Sequence, residues 1–305
     1  MNVVGTVLSI FILLFIGYGT KKVRLLTAKD ADLLNTVVLY LTLPAFIFEA
    51  IYSYHEPLPW SLAKIPIVGF AMIAVVLGIA YGIGRMLRMD RPTLGGMILA
   101  AGFGNTGFLG YPVTQAAFNH KGALVTAVLY DELAMALPLY TVGIAIAASF
   151  AGAKADRKQF LSVFTLPSMI AIPIALILRP ITIPQPLMAA IHYMANGTVP
   201  LVMISLGLSL SASSLKGYAA PAVAVCVLKL AVLPVLTYYA YSAVGVEGIT
   251  LQAGVLESAM PTAVMSCVLA MRFGANGRFV AGVIFVATLL SLATIPATLL
   301  ILGVR

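Results

Sequence analysis

The chain has 305 residues, of which 61% are hydrophobic and only 9% are charged. Soluble domains carry about 25% charged residues, so the composition excludes a water-soluble fold. The apolar runs approach the roughly 20 residues that a helix needs to cross a bilayer, and they lack the alternation of a membrane β-barrel. We therefore predict an all-α polytopic membrane protein.

In chain order, polar breaks separate ten apolar segments, and each is predicted to cross the membrane once. The predicted spans are 3–20, 31–52, 62–84, 93–118, 122–150, 160–178, 186–210, 217–243, 249–271 and 279–303. Thirteen of the 18 Lys and Arg residues lie in the odd-numbered loops, whereas four lie in the even-numbered loops and at the C-terminus.

Lys and Arg are enriched in cytoplasmic loops, so this bias predicts that both termini lie outside. The net charge of +8 then reflects topology, and no nucleic-acid partner is predicted. The predicted location is the plasma membrane, which is the inner membrane if the cell is bacterial.

Similar motifs at corresponding places predict an internal repeat. Segment 42–44 reads Thr-Leu-Pro and segment 198–200 reads Thr-Val-Pro, each in the second span of its half. Pro112 in the fourth span likewise corresponds to Pro261 in the ninth. Because five spans per copy is an odd number, the second copy would be inverted, as in many secondary transporters. The predicted units are a first repeat at 1–150, a cytoplasmic linker at 151–159 and a second repeat at 160–305.

The sequence "GFGNTGFLGYPV" at 102–113 predicts a break inside the fourth span, and Pro261 predicts a matching break in the ninth. A break in lipid strands backbone polar groups, so it survives only against protein or a wet cavity. Half-helix N-termini there would suit an anion; alternatively, the glycines only permit close helix packing. The predicted helix-break residues are Pro112 and Pro261, and the predicted substrate-binding residues are Gly104, Asn105, Thr106, Gly107, Tyr111, Ser258 and Thr262.

Four charged residues are predicted to lie inside spans, namely Asp131, Glu132, Lys229 and Glu257. Intramembrane charges are costly and indicate function by default. The three acids are candidates for ion coupling, although Asp131 could instead lie near the outer interface. Lys229 is a candidate counter-charge for an anionic substrate, or it reaches back to the cytoplasmic surface.

The three histidines, His55, His120 and His192, lie near span ends without a metal-like grouping. No metal site is therefore predicted, and no nucleotide-binding motif occurs. The prediction is no cofactor, with the coupling ion left open between a proton, sodium and none.

Four strings resemble the auxin efflux carrier family, which includes plant PIN-type carriers and bacterial malate and malonate permeases. They are "GNTGFLGYPV" (104–113), "VPLVMISLGLSLS" (199–211), "SAMPTAV" (258–264) and "ATLLSLATIPATLL" (287–300). The resemblance implies two inverted five-helix repeats whose broken helices 4 and 9 cross. It also implies a scaffold domain of helices 1, 2, 6 and 7, a transport domain of helices 3–5 and 8–10, and an organic-anion substrate. Tyr111 stands where the family pattern favours an aliphatic residue.

We predict a secondary transporter, not an enzyme, that moves a small mono- or dicarboxylate, auxin-like compounds included, by an elevator-like or rocking motion. The alternatives are a sodium/proton-type cation antiporter or a sodium-coupled symporter of similar fold. A membrane receptor that only binds a ligand is a rival from a different class. The predicted partners are the carboxylate, the lipid bilayer and a second copy bound through the scaffold helices.

Overall fold

The computed structural model of the protein describes residues 3–56, 61–210, 215 and 217–304, and within these ranges it is helical without β-strands. The α-helices are α1 (Val3–Lys22), α2 (Ala28–Val37), α3 (Leu43–Tyr52), α4 (Ser61–Met86), α5 (Arg91–Gly102), α6 (Tyr111–Phe118), α7 (Lys121–Leu129), α8 (Ile144–Ala151), α9 (Arg157–Leu161), α10 (Pro167–Leu178), α11 (Gln185–Ser209), α12 (Ala219–Val227), α13 (Leu233–Ala243), α14 (Gly248–Ser258), α15 (Val264–Phe273) and α16 (Gly277–Ile301).

Six continuous helical stretches in the described ranges are long and apolar enough to cross a membrane. They are Lys29–Tyr52, Leu62–Met86, Lys121–Ala151, Gln185–Ser209, Ala219–Ala243 and Gly277–Ile301. A seventh candidate is bent by 44° between Arg157–Thr165 and Pro167–Leu178. The prediction of an all-helical polytopic membrane protein is confirmed at this level.

Several spans contain a π-helical segment that ends two residues before a proline. Val38–Thr42 precedes Pro44, Thr106–Gly110 precedes Pro112, Tyr130–Ala136 precedes Pro138 and Leu228–Val232 precedes Pro234. Proline lacks an N–H and its ring clashes with the carbonyl four residues earlier, so a locally wider helix relieves both problems. Three of the predicted intramembrane charges, Asp131, Glu132 and Lys229, lie in these segments.

Two large hydrophobic clusters organise the chain. One is built mainly from α4, α5, α8 and α12–α16. The other is centred on α1, α3, α10 and α11, together with the inner faces of α6 and α7. In the second cluster, α1 and α11 touch backbone to backbone, since a Cβ on Gly207 would lie 2.7 Å from Tyr18 N. Such close contact is typical of small residues between membrane helices.

The fourth and ninth predicted spans are each interrupted, and the two interruptions pair with each other. The Asn105 N–H donates to Pro261 O at 2.7 Å, and the Ala263 N–H donates to Phe103 O at 2.9 Å. Gly104 and Thr262 thereby form an isolated antiparallel bridge. These bonds satisfy backbone groups that would be costly to leave unpaired away from water.

Candidate functional site

Four half-helix ends converge where the interruptions pair. The helices α5 and α14 end there, whereas the π-helical segment 106–110 and α15 begin there. Helix starts present N–H groups without intrahelical partners and a partial positive charge. Helix ends present carbonyl groups and a partial negative charge. The pairing region therefore has donor ends and acceptor ends within a few residues of one another.

A cavity of about 160 Å³ opens beside the two helix starts, and we call it the first cavity. Its walls include residues 104–108 of the fourth span and residues 263–265 at the start of α15. The polar side chains in its lining are Asn35, Asn105, Thr106, Asp131, Glu132, Tyr140 and Ser168. The rest of the lining is mainly apolar, as is usual for sites that hold small molecules.

Two polar groups at the first cavity have no hydrogen-bond partner among the described residues. They are the amide nitrogen Nδ2 of Asn105 and the carboxyl oxygen Oε2 of Glu132. Asn105 is only 6% exposed and Glu132 only 2%. A buried polar group without a partner costs about 1–3 kcal/mol. This arrangement is expected where a ligand completes the missing bonds.

Asp131 is held against the first turn of segment 106–110. The Thr106 hydroxyl donates to Asp131 Oδ1. A Cβ on Gly107 would lie 2.8 Å from Asp131 Oδ2, so a glycine is what allows the carboxyl group to approach this backbone. The acid therefore sits at a helix start, where negative charge is stabilised.

Lys229 lies on the other side of the pairing region and does not line the first cavity. It is fully buried, which excludes the predicted alternative that it reaches back to the membrane surface. Its ammonium donates to the carbonyl oxygen of Ser258 at 2.7 Å. Ser258 is the last residue of α14. A cation at a helix C-terminus offsets the partial negative charge there.

Glu257 lies in α14 and forms a hydrogen bond with a residue of α6. Like Lys229, it does not line the first cavity. The Thr114 hydroxyl donates to Glu257 Oε1 at 2.8 Å. The carboxyl group packs directly on Gly110, where any Cβ would overlap it. Glu257 Oε2 has no partner in the described part of the chain. The acid is thus fully buried between two half-helices.

The structure brings some of the predicted substrate-binding residues together and leaves others apart. Gly104, Asn105, Thr106 and Gly107 line the first cavity, but the remaining three predicted residues face other groups. The Ser258 hydroxyl donates to Val255 O, the Thr262 hydroxyl donates to Ala100 O, and the Tyr111 ring stacks on Phe46.

The predicted helix-break prolines have different positions. Pro261 lies within the second interruption, and its carbonyl accepts the Asn105 N–H. Pro112 lies in the first turn of α6, beyond the interruption at 103–105. It acts on the preceding turn, which becomes π-helical because proline cannot complete the normal ladder. Pro112 therefore shapes the second half-helix and does not separate the two halves.

Sequence reasoning missed three polar residues near the interruptions. Asn35 and Ser168 enter the first cavity from α2 and α10, and Thr114 is the partner of Glu257. Asn35 was detectable as an amide inside an apolar span, and its Oδ1 accepts from Ser205 at 2.6 Å. Ser168 and Thr114 carry no comparable signal, since hydroxyl groups are common in membrane helices.

The fold and the site define a multi-pass membrane protein with a polar cavity beside paired helix interruptions, an arrangement found in transport proteins. Residues 2–300 match the model of a family described as "Membrane transport protein". The chain belongs to this family, and the predicted membership in the auxin efflux carrier family is confirmed.

Curated relatives agree with this assignment. The chain is 32% identical over 299 residues to an "Uncharacterized transporter" of Methanothermobacter thermautotrophicus, covering 97% of each chain. It is 29% identical to an uncharacterized transporter of Methanocaldococcus jannaschii, covering 95% of each. It is also 28% identical to the "Putative malonate transporter" of Rhizobium meliloti, covering 98% of this chain and 95% of the relative.

Proposed function

We propose that the protein is a secondary transporter that carries a small carboxylate through the first cavity. The observation that carries the proposal is the buried amide nitrogen of Asn105 beside two helix starts, which has no partner among the described residues. A carboxylate accepts hydrogen bonds from such N–H groups and is stabilised by the partial positive charge of both helix ends. The relative whose name includes malonate supports the same class of substrate.

In this proposal the chain forms ten spans arranged as two inverted repeats, and the fourth and ninth spans cross. During transport, one group of spans moves relative to the other. The predicted spans 1, 2, 6 and 7 form the scaffold, and the predicted spans 3–5 and 8–10 move against it in an elevator-like manner. The two hydrophobic clusters support this division. The first cavity also supports it, since Asn35 and Ser168 belong to the scaffold whereas Asn105 and Asp131 belong to the moving part.

The proposal includes an orientation and a set of partners. The distribution of Lys and Arg supports cytoplasmic odd-numbered loops and external termini in the plasma membrane. No cofactor and no catalysed reaction are assigned, and a second copy would bind through the scaffold helices. A proton or a sodium ion, if either is coupled, would use Asp131 and Glu132.

A cation antiporter is the second candidate function. The observation that favours it is that Asp131 and Glu132 line the first cavity, where Glu132 Oε2 is unpartnered among the described residues. Two adjacent acids suffice to bind and release a cation without any organic substrate. The two helix starts argue against this function, because their partial positive charge repels a cation.

The test is uptake by purified protein in liposomes. Radiolabelled malonate, malate and acetate are offered with and without a sodium gradient. We expect uptake of at least one carboxylate and a loss of at least about tenfold in the Asn105→Ala variant, since buried hydrogen bonds to a charged group contribute about 1.5–3 kcal/mol. Gln252→Ala is the matched control, because Gln252 is a half-buried amide that donates to Leu302 O outside the cavity.

Three outcomes are informative. Sodium or proton exchange without uptake of any carboxylate would establish the antiporter instead. Equal losses in Asn105→Ala and Gln252→Ala would show that the first cavity is not the binding site. Binding without uptake against a gradient would indicate a receptor.

A further inference from the structure

A second cavity lies at the far end of helices that also line the first one. Its volume is about 250 Å³. The helical stretch Lys29–Tyr52 contributes Asn35 to the first cavity and Glu49 to the second. These residues are about 21 Å apart along a helix that rises 1.5 Å per residue. The two cavities therefore open toward opposite ends of the same helices.

We propose that the second cavity is a separate binding site for a small carboxylate, occupied on the far side of the membrane before or after the first cavity. This inference rests on the proposed function, since it concerns the same substrate. It adds a site with its own residues, of which none was assigned to substrate by sequence or by the first cavity.

The lining of the second cavity is rich in hydrogen-bond donors. Its donor side chains are Ser53, Gln115, Asn119, His120, Lys121, His192 and Asn196, and Glu49 is the one carboxyl group among the described lining residues. The Lys121 ammonium donates one hydrogen bond to Ser53 O at 3.2 Å. An ammonium has three N–H groups, so others are left to donate. Lys121 can therefore pair with an anion without releasing this carbonyl.

Among the described lining residues, the Glu49 carboxyl group is held by a hydrogen bond from a neighbouring side chain. Glu49 Oε1 lies 2.7 Å from His192 Nδ1, and His192 Nε2 lies 2.9 Å from Asn196 Nδ2. With His192 donating from Nδ1, its Nε2 accepts from the Asn196 amide. The chain Asn196–His192–Glu49 thus directs the acid toward α11 and leaves the Lys121 ammonium as the group that can bind an anion.

A pair of stacked rings extends inward from the wall of the second cavity. Phe46 lines the cavity, and its ring lies 5.5 Å from the fully buried ring of Tyr111. Tyr111 begins α6, directly after the segment 106–110 that lines the first cavity. An anion in the second cavity is therefore separated from the paired interruptions by two aromatic side chains.

The size of the second cavity limits its occupant. Its volume falls just below the roughly 300–1,000 Å³ of pockets that hold drug-sized ligands. A molecule of a few carbon atoms fits, and a solvated carboxylate also suits the exposed Lys121 and His120 at its rim. The ligand class is therefore the same small carboxylate that the first cavity suits.

The experiment measures two quantities with malonate, or with whichever tested carboxylate the liposomes take up. In uptake, Lys121→Gln is expected to raise KM about threefold with the maximal rate unchanged, as for an exposed ion pair that binds only the ground state. Lys121→Arg should restore KM. Lys64→Gln is the matched control, since Lys64 also donates to one backbone carbonyl, Val244 O at 2.6 Å, but lies outside both cavities.

Thermal unfolding in detergent gives the second measurement. Asn105→Ala is expected to retain a carboxylate-dependent rise in Tm, and combining it with Lys121→Gln is expected to shift that rise to an about threefold higher carboxylate concentration. A complete loss in Asn105→Ala alone, with KM unchanged in Lys121→Gln, would overturn the second site while the transport function stands. If the wild type neither binds nor takes up any carboxylate, the proposed function fails and the second site fails with it.

Discussion

The paired interruptions have a packed side and a cavity side, and polar groups on the two sides are used differently. On the packed side, the Lys229 ammonium and one oxygen of Glu257 bond to groups of neighbouring helices, and the other oxygen, Glu257 Oε2, has no partner among the described residues. On the cavity side, Asn105 Nδ2 and Glu132 Oε2 are buried without a partner in the described ranges. Satisfied groups stabilise the fold, whereas unsatisfied ones cost stability and remain available to a ligand.

The difference follows from which helix ends face each side. The C-terminal end of α14 needs a donor, and Lys229 supplies one from within the protein. The starts of segment 106–110 and α15 favour negative charge, and the Asp131 carboxyl group lies beside the first of them, where it accepts from the Thr106 hydroxyl. The protein therefore supplies a counter-charge at the α14 end and at the start of segment 106–110, whereas the first turn of α15 contains no acidic residue, and a mobile anion can supply the charge there.

Lys229→Met is expected to have the largest effect on stability. Methionine keeps much of the volume but leaves Ser258 O without its buried donor, and a hydrogen bond to a charged group contributes about 1.5–3 kcal/mol. We expect the free energy of unfolding in detergent to fall by that amount, with or without substrate. Lys64→Met is the control, and a loss in it as large as in Lys229→Met would contradict the assignment.

Gly110→Ala tests the packing on the same side. The added Cβ would overlap the Glu257 carboxyl group, and overpacking costs about 1–3 kcal/mol. Gly78→Ala is the control, because a Cβ there meets no atom within 4 Å. The double variant Gly110→Ala with Glu257→Ala should lose less than the sum of the single losses, since the clash is gone. Additive losses would refute the contact.

The comparison also shows what could be predicted from the sequence. The string at 102–113 and Pro261 located both interruptions, because glycine and proline act on the local backbone. The position of Asn105 and Thr106 beside the first cavity follows from the location of the interruption alone. The contacts on the packed side were not predictable in the same way. The roles of Ser258 and Glu257 depend on the direction in which each side chain points.

That direction depends on helix phase, which changes by about 100° per residue. The π-helical turns before Pro138 and Pro234 shift the phase within their own spans, and no periodicity in an apolar sequence reveals such a shift. The sequence therefore left two alternatives for Lys229, a buried counter-charge or a side chain that reaches the membrane surface. Its burial excludes the second. Ser168 depends on how α10 packs beside α2, which is a tertiary contact without a local signature.

Glu132→Gln probes the cavity side. A buried acid without a partner is costly, and glutamine has nearly the same shape without the charge. We expect the free energy of unfolding to stay within about 1 kcal/mol of the wild type or to rise, in contrast to Lys229→Met. Any dependence of uptake on pH or sodium should weaken in this variant. A fall in stability as large as that of Lys229→Met would place Glu132 on the packed side.

Asn105→Ala is expected to change stability least, by less than about 0.5 kcal/mol, because its amide nitrogen forms no bond to the described residues that would be lost. Thr114→Val provides the contrast from the packed side. Valine is similar in size, but the Glu257 carboxyl group loses its hydroxyl donor at 2.8 Å. Thermal unfolding and uptake, measured on the same preparations, should therefore give opposite results for the two variants. Asn105→Ala should keep its Tm and lose carboxylate uptake, whereas Thr114→Val should lose Tm and keep uptake in the folded fraction. If Asn105→Ala lowers Tm as much as Thr114→Val does, its amide serves the fold, and the anion site must lie elsewhere.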